Sequence, residues 1–441
     1  MADRYIEILK NTFLDYKQTK EVVENPLIFE KAERLYYWDT EGKRYFDGIG
    51  GIFVAALGHR HPRVMEAVRR QMETITFAPP LHGISRVTLD YIRALGEVTP
   101  GNLNFIKPFS GGSESVESAL KFVRQYFKQT GKPGKYKVIS RYSGYHGATF
   151  GAMAASGTGP RKTPFEPQMG GFLKVPPPTW YRDRFSSWEE CNRFSARLFE
   201  DIIVNEDPHT VAAVILEPIG NTGGIITPTE EYYRIIREIC DKYDVLLIFD
   251  EIITGFGRTG SMFAAQTYGV IPDIICSGKG AAGGAVPLGA MIARQDLADA
   301  FWGEPEENVQ FAHGHTFAGH PLGCAAGLAV ISAINEENLL ERCRVLGSRL
   351  SRGLKKLEEY GVVREVRGKG LLQGVELCRD GKPFPALGKA LKKTALKNGL
   401  IMRIDPNWFA LAPALTARDQ DVDELLDLVE KSLSDAINMA G

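Results

Sequence analysis

The chain has 441 residues, against roughly 150 for a typical domain, so we expect one large lobe and one or two smaller lobes. Its 53 basic and 54 acidic residues leave a net charge of −1, which argues against a surface that coats nucleic acid. With 44% hydrophobic and 24% charged residues, the composition excludes a disordered, collagen-like or coiled-coil chain. The high glycine count, 46 residues, indicates backbone packed closely against a ligand or another backbone.

The N-terminus starts Met1-Ala2-Asp3-Arg4-Tyr5 and lacks the apolar run of a signal peptide. The longest apolar stretch, residues 322–334, is shorter than the roughly 20 residues that a helix needs to cross a bilayer. Six scattered cysteines form no C-x-x-C pair and are typical of free, buried thiols in a reducing compartment. We therefore expect a cytoplasmic protein with no membrane and no nucleic-acid partner.

Strand-like and helix-like segments follow one another along the chain. Residues 35–47 alternate like a hairpin around Thr40-Glu41-Gly42. The middle of the chain has apolar, β-branched runs separated by helical stretches such as 230–242, a pattern typical of buried parallel strands. These strand-like runs are 136–141, 211–219 and 244–252. The last third predicts, in order, a helix at 335–360, strands at 371–377 and 400–403, and a helix at 421–438.

This order of elements predicts an α/β fold with two unequal domains. We expect a large domain with a mostly parallel central sheet over residues 61–325. A smaller α+β domain would follow over residues 326–441. The N-terminal segment, residues 1–60, is expected to join the smaller domain.

The first motif with chemical content is a glycine turn, Ser110-Gly111-Gly112-Ser113-Glu114-Ser115, that opens a helical pattern. Free backbone N–H groups and the positive end of the helix dipole make such a turn a natural phosphate site. A helix cap that binds nothing explains the same residues equally well. The turn matches neither G-x-x-x-x-G-K-[ST] nor G-x-G-x-x-G, which argues against nucleoside triphosphates and dinucleotides.

The second motif runs from Asp250 to Gly260, where two carboxylates and a glycine-rich loop follow an apolar strand. Ligands of open α/β sheets bind at the carboxyl ends of the strands, which is where Asp250 would lie. A buried aspartate is unfavourable without a cationic partner. The alternative is that Asp250 only caps the loop.

The third motif, Ser277-Gly278-Lys279-Gly280, places a lysine among small and apolar residues. Burial lowers the pKa of a lysine and leaves a nucleophilic amine suited to a Schiff base, although most lysines are solvated surface charges. Taken together, the three motifs supply the phosphate anchor, the pyridinium partner and the amine that pyridoxal phosphate requires.

With these residues, the chain resembles the class III (ω-amino-acid-type) aminotransferases of the fold-type I pyridoxal-phosphate enzymes along nearly its whole length. Within that family it is most similar to the amine:pyruvate transaminases. Further matching motifs are Tyr145-His146-Gly147, Glu217-Pro218-Ile219-Gly220 (in part), the full D-E-x-x-T-G-F-G-R-T-G run from Asp250, and Gly314-His315-Thr316-Phe317.

The resemblance implies that Lys279 carries the cofactor and transfers protons, that Asp250 binds the pyridine nitrogen, and that Tyr145 and Ile252 flank the ring. Glu217 would orient groups near the Schiff base. The full implied cofactor set is Gly112, Ser113, Tyr145, His146, Glu217, Asp250, Ile252, Lys279 and Thr316. Because Thr316 would reach the phosphate from the neighbouring subunit, the resemblance implies a homodimer with shared active sites and leaves a tetramer open.

The substrate pocket departs from relatives that act on α-amino acids. The arginine that clamps a substrate carboxylate in those relatives is replaced by Ala410, and a later proline by Ala414. Arg403 lies where amine:pyruvate members place a mobile arginine, although a surface arginine at a strand end remains the alternative. Phe53 would form an aromatic wall, and Thr222 would line a small side pocket.

We therefore predict a transaminase that moves an amino group from a primary amine or ω-amino acid to a keto acid, with pyruvate expected. A dialkylglycine-type decarboxylase or an amino-acid racemase could use the same cofactor motifs, and a catalytically silent cofactor-binding regulator is the alternative from another class. The sequence leaves the identity of the donor amine open. His313 and His315 form an H-x-H without a third ligand cluster, so we predict satisfied loop histidines and no metal site.

Overall fold

A seven-stranded sheet forms the centre of the computed structural model, which describes residues 2–441 and, from residue 5 onward, their side chains. In spatial order the strands are Leu103–Phe109, Gly289–Arg294, Ile274–Ser277, Leu246–Asp250, Val211–Leu216, Lys137–Arg141 and Phe172–Val175. Gly289–Arg294 runs antiparallel to both neighbours, and the other pairings are parallel. The expectation of a mostly parallel sheet is confirmed.

Continuous apolar strands form this sheet because helices cover both of its faces. All six residues of Val211–Leu216 are buried. The helix Glu230–Lys242 has the bounds expected from sequence, since the Thr229 hydroxyl caps it by accepting from the N–H of Tyr232.

The α-helices are Ala2–Leu9, Thr19–Glu24, Gly50–Phe53, Pro62–Thr74, Arg86–Val98, Gly112–Gln129, Phe150–Ala155, Gly159–Lys162, Trp188–Asn205, Glu230–Lys242, Ala264–Tyr268, Gln295–Ala298, Pro321–Glu336, Leu339–Lys355, Pro385–Lys397 and Asp419–Ala440. Short 3₁₀ helices occur at Thr163–Phe165, Pro178–Trp180, Arg182–Arg184, Lys279–Ala282, Asp299–Phe301, Pro305–Glu307 and Lys356–Tyr360.

Two smaller sheets contain the remaining strands. The first has the order Phe29–Glu33, Tyr36–Asp39, Arg44–Asp47 and Leu400–Ile401. The second has the order Val363–Lys369, Leu372–Arg379, Trp408–Leu411 and Arg403–Asp405, with Lys382–Pro383 paired to its second strand. The predicted hairpin is present as the antiparallel pair of Tyr36–Asp39 and Arg44–Asp47, and the parallel pairing of Leu400–Ile401 with the latter connects the two ends of the chain. Among the residues described, no helix has the length and apolar character needed to cross a membrane.

Two predicted elements prove to be divided. The single helix expected over 335–360 is instead the end of Pro321–Glu336 followed by Leu339–Lys355 and a 3₁₀ turn. The break lies at Asn338, whose φ of 51° is a left-handed conformation that asparagine adopts more readily than most residues. The single strand expected over 400–403 is two strands in two different sheets, separated at Met402. This change of sheet brings Arg403 to the edge of the cavity described next.

Candidate active site

A cavity of about 710 Å³ lies at the carboxyl end of the central sheet, where the smaller sheets meet it. The walls contain both strand ends of the central sheet and the segment around Arg403. Ten of the predicted site residues line it: Phe53, Gly112, Ser113, Tyr145, His146, Glu217, Asp250, Ile252, Lys279 and Arg403. Residues that are far apart in sequence therefore share one cavity, at the sheet edge where open α/β folds bind ligands.

Asp250 ends the strand Leu246–Asp250 and is almost fully buried. Its Oδ2 lies 2.8 Å from Nδ1 of the buried His146, and its Oδ1 accepts a hydrogen bond of 3.1 Å from the N–H of Ile252. The strand end and the histidine together fix the carboxylate at the cavity wall. The neighbouring Glu251 points elsewhere, because its carboxylate accepts hydrogen bonds from the N–H groups of Ala264 and Ala265.

Lys279 follows the strand Ile274–Ser277 and lies in a left-handed backbone conformation, with φ of 42°. Burial lowers the pKa of Lys279, an effect that the charges of Asp250 and Glu217 partly offset. Among the described side chains, no carboxylate forms an ion pair with its Nζ, so the amine faces the cavity without a fixed acidic partner. A strained backbone that holds a reactive group in place is common at functional sites.

The first turn of Gly112–Gln129 forms another part of the wall. A Cβ atom on Gly112 would lie 2.7 Å from Cδ1 of Ile252, and one on Gly278 would lie 3.2 Å from the Cα of Gly112. Glycine at these two positions therefore lets the lysine loop and Ile252 pack against the start of the helix. The Oγ of Ser113 accepts a hydrogen bond of 3.1 Å from the N–H of Ala148.

Glu217 and Asn221 organise the side of the cavity next to Tyr145. The Oε1 of Glu217 accepts a hydrogen bond of 2.6 Å from the N–H of Tyr145, and its Oε2 accepts one of 2.7 Å from the N–H of Asn221. Burial raises the pKa of Glu217. The Oδ1 of Asn221 is buried without a hydrogen-bond partner although the residue lines the cavity. Such an atom is expected to bind a polar group of a ligand.

These side chains match the chemical parts of pyridoxal phosphate. A helix N-terminus with glycine at its first position suits the phosphate, and a buried carboxylate suits the pyridine nitrogen. Burial lowers the pKa of the Lys279 amine, and an amine of this kind suits the aldehyde of the cofactor. The close contact that a Cβ on Gly112 would make, and the unpaired Oδ1 of Asn221, agree with a cavity shaped for a ligand.

Arg403 and Phe53, the two predicted substrate-binding residues of the cavity lining, have different surroundings. Arg403 pairs across two antiparallel strands with Ala410, so the arginine stands directly beside this alanine. Its Nε donates to Oδ2 of Asp405 at 3.2 Å, and its guanidinium lies 5.0 Å from the ring of Trp408. Phe53 is buried in a turn where residues 50–53 all have positive φ angles.

Thr222 and Thr316 lie outside the lining of this cavity. The Thr222 hydroxyl donates to the carbonyl of Ser143, and the Thr316 side chain is exposed. The expectation for the two histidines holds in part. Both ring nitrogens of His313 contact polar groups, Ser118 Oγ and Lys121 Nζ, whereas Nε2 of His315 is buried without a partner. The residues described contain no group of three or more histidine, cysteine or acidic side chains arranged to bind a metal.

The cavity lining also contains residues that the sequence analysis missed, among them Tyr16, Arg161 and Asn221. Asn221 follows the Glu217-Pro218 motif by three residues, so its position next to that motif was a usable signal. Tyr16 reaches the cavity from a segment with no motif, and Arg161 from a four-residue helix. Only the folded chain brings these two residues together.

Comparison with known proteins gives consistent matches over the whole chain. The family model for class-III aminotransferases matches residues 17–433. A Mycobacterium tuberculosis protein named "Probable aminotransferase Rv3329" is 40% identical over 84% of this chain and 79% of its own length. The "Omega-amino acid--pyruvate aminotransferase" of Pseudomonas putida is 31% identical over 96% of this chain and 95% of its own length. The crystal structure of an (S)-enantioselective omega-transaminase from Thermomicrobium roseum, 36% identical, superposes with a TM-score of 0.95 over 99% of both chains.

Proposed function

The chain belongs to the class III aminotransferases, and on this premise we propose that it moves the amino group of a primary amine or ω-amino acid onto pyruvate. As a member of this family it is an enzyme that uses pyridoxal phosphate. The proposed acceptor is supported by the name of the Pseudomonas putida relative and by the position of Arg403. The observation that carries the proposal is one cavity lined by the amine of Lys279, the buried carboxylate of Asp250 and the guanidinium of Arg403.

The residues that would hold the cofactor are those of the cavity wall. The N–H groups at Gly112 and Ser113 would bind the phosphate, Asp250 the pyridine nitrogen, and Tyr145 and Ile252 the two faces of the ring. When bound, pyridoxal phosphate supplies an aldehyde that captures amines and a ring that withdraws electrons from the substrate carbon.

The proton transfers fall to Lys279. Its Nζ in the neutral form takes a proton from the substrate carbon and later returns one, because no ion pair in the described chain keeps this amine protonated. His146 is a positioning residue: its Nδ1 contacts Oδ2 of Asp250 and so holds the carboxylate in one orientation. Glu217 positions Tyr145 through the backbone N–H of that residue.

Arg403 would bind the carboxylate of pyruvate. A guanidinium recognises a carboxylate through two parallel hydrogen bonds. The partner that Arg403 has in the structure, Asp405, contacts it through Nε at 3.2 Å, so an incoming carboxylate competes with a single ion pair. An amine without a carboxylate would leave the ion pair between Arg403 and Asp405 intact.

We further propose a homodimer with shared active sites in the cytoplasm. Thr316 is exposed, and so is its neighbour Phe317, whose ring packs against the exposed ring of Phe77. A second copy of the chain that covers this surface would bring its own Thr316 to the phosphate. The six cysteines are buried free thiols, the form that a reducing compartment maintains.

The test is alanine formation from pyruvate by the cofactor-loaded protein, measured across a panel of primary amines and ω-amino acids. We expect alanine to form in step with the carbonyl product of the donor. No alanine with any donor, together with carbon dioxide release from a dialkylglycine or racemisation of an amino acid without loss of keto acid, would replace the transaminase proposal with a decarboxylase or racemase.

A further inference from the structure

Arg161 is a cavity cation to which neither the sequence motifs nor the family match assigns a role. It lines the cavity from the short helix Gly159–Lys162. Its guanidinium carbon lies 4.2 Å from the ring centroid of Tyr16 and 4.8 Å from that of Tyr145, and the two tyrosine hydroxyls lie 3.2 Å apart. Two aromatic rings therefore hold the arginine in place without neutralising its charge.

Two other basic side chains on the same rim, Arg403 and Lys392, are paired with carboxylates, whereas Lys17, like Arg161, forms no ion pair among the described side chains. Arg403 forms an ion pair with Asp405 at 3.2 Å, and Lys392 forms one with Glu21 at 2.9 Å. Among the side chains of residues 5–441, no carboxylate pairs with Arg161. A half-buried guanidinium that forms no ion pair with a carboxylate favours an anionic ligand.

The field of Arg161 reaches the reacting groups. After the larger effect of burial, its charge is among those that lower the pKa of Lys279 and the pKa of Arg403. The two guanidiniums therefore act on one another across a single cavity, although they come from different parts of the fold. Two anions, or one substrate with an anionic end, would relieve that repulsion.

We propose that Arg161 binds the far, anionic end of the amine donor, so that the preferred donors are ω-amino acids that end in a carboxylate or a sulfonate. This inference rests on the proposed function and narrows its donor class. Arg403 binds the carboxylate next to the reacting carbon of pyruvate, and Arg161 binds the oxygens at the distal end of the donor. Lys17 also lines the cavity and is the competing cation for that role.

The test uses three donors of matched length, β-alanine, taurine and propylamine, which end in a carboxylate, a sulfonate and a methyl group. Kinetic constants are measured with the holoenzyme and with Arg161→Gln, Arg161→Lys and Lys17→Gln. Arg379→Gln is the matched control, because that arginine also lies over an aromatic ring, 3.9 Å from the centroid of Phe384, but outside the cavity lining.

We expect Arg161→Gln to raise KM for an anionic donor by about tenfold or more, the usual effect of losing a charged hydrogen bond. KM for propylamine and for pyruvate should stay as in the parent enzyme, and Arg161→Lys should recover part of the loss. Binding of ethanesulfonate or propionate, which carry the anion but no amine, should weaken in parallel when measured by calorimetry. A rise confined to β-alanine or to taurine supports the inference and identifies the anion.

Three outcomes overturn the inference. The first is an unchanged KM for both anionic donors in Arg161→Gln. The second is an equal rise for propylamine, which would indicate a packing role, and the third is a loss in Lys17→Gln without one in Arg161→Gln. In each case the parent enzyme still forms alanine, so the proposed function stands. An absence of alanine with every donor would instead remove the proposed function itself.

Discussion

The floor and the rim of the cavity are built in different ways. The floor, defined by Gly112, His146, Glu217, Asp250 and Lys279, lies at or just beyond the ends of the central strands and in the first turn of the helix Gly112–Gln129. The carboxylates of the floor are buried and bound by groups of the same chain. The rim, defined by Tyr16, Lys17, Arg161, Lys392 and Arg403, comes from four separate segments and is partly exposed.

The difference separates two tasks. A buried floor can hold a cofactor in one orientation, because its two carboxylates are fixed by hydrogen bonds within the chain. A rim of basic side chains on separate segments can bind and release substrates of different length and charge. We therefore expect changes in the floor to act on kcat and changes in the rim to act on KM.

The largest effect is expected for Lys279→Ala. Alanine formation should fall by about 10³-fold or more, because the variant loses the group that transfers the proton. Lys174→Met is the matched control: burial lowers the pKa of Lys174 to about 7, but this lysine donates to the carbonyls of Ala154 and Ala155 outside the cavity. Substantial turnover by Lys279→Ala would contradict the role given to the floor.

The next effect compares a carboxylate of the floor, Asp250, with Asp405, the carboxylate that pairs with Arg403 of the rim. Asp250→Asn should lower kcat by about 10²-fold, the scale of losing a preorganised electrostatic contact. Asp405→Asn should leave kcat unchanged and alter KM for pyruvate, because Asp405 contacts only Arg403 in the rim. Steady-state kinetics of the two variants test this difference between kcat and KM effects. Equal losses of kcat would contradict the distinction between floor and rim.

A smaller change is expected for Arg403→Ala. The kcat/KM of this variant for pyruvate should fall by about tenfold, while its kcat/KM for an aldehyde acceptor without a carboxylate should equal that of the parent enzyme. An unchanged kcat/KM for pyruvate would show that Arg403 does not bind the acceptor. The measurement also sharpens the comparison with Arg161, whose substitution should spare pyruvate.

The smallest effect is a shift in the pH at which Lys279 becomes reactive. In the apoprotein, acetylation of Lys279 followed by mass spectrometry should reach half its maximum below the ordinary lysine pKa of about 10.4, because burial lowers the pKa of this amine. Arg403 also lowers this pKa, so Arg403→Ala should move the midpoint to higher pH. A midpoint at the ordinary value, or a shift to lower pH in the variant, would contradict the electrostatic account.

The same division explains how much of the molecule the sequence could predict. The floor residues belong to contiguous motifs such as Asp250–Gly260 and Ser277–Gly280, and each follows an apolar strand whose end places it at the sheet edge. The alternation of strands and helices predicts the central sheet for the same reason, since burial on both faces leaves a continuous apolar run.

Of the rim residues only Arg403 was predicted, through the family resemblance; the other four escaped prediction because the geometry of the rim depends on long-range packing. The chain changes sheets at Met402, and only this change sets Arg403 opposite Ala410. The stacking of Arg161 on Tyr16 and Tyr145 joins three segments that no local pattern connects. Likewise, the motifs for the cofactor were equally compatible with decarboxylation or racemisation, and the relatives rather than the residues identify an aminotransferase.

The central claim is that Lys279 is the amine of the floor that binds the cofactor. Borohydride reduction of the holoenzyme, followed by peptide mass spectrometry, tests it directly because reduction makes the carbon–nitrogen bond permanent. We predict one cofactor-modified peptide, with the added mass on Lys279. Modification at a rim lysine such as Lys17 or Lys392, with Lys279 unmodified, would contradict the account.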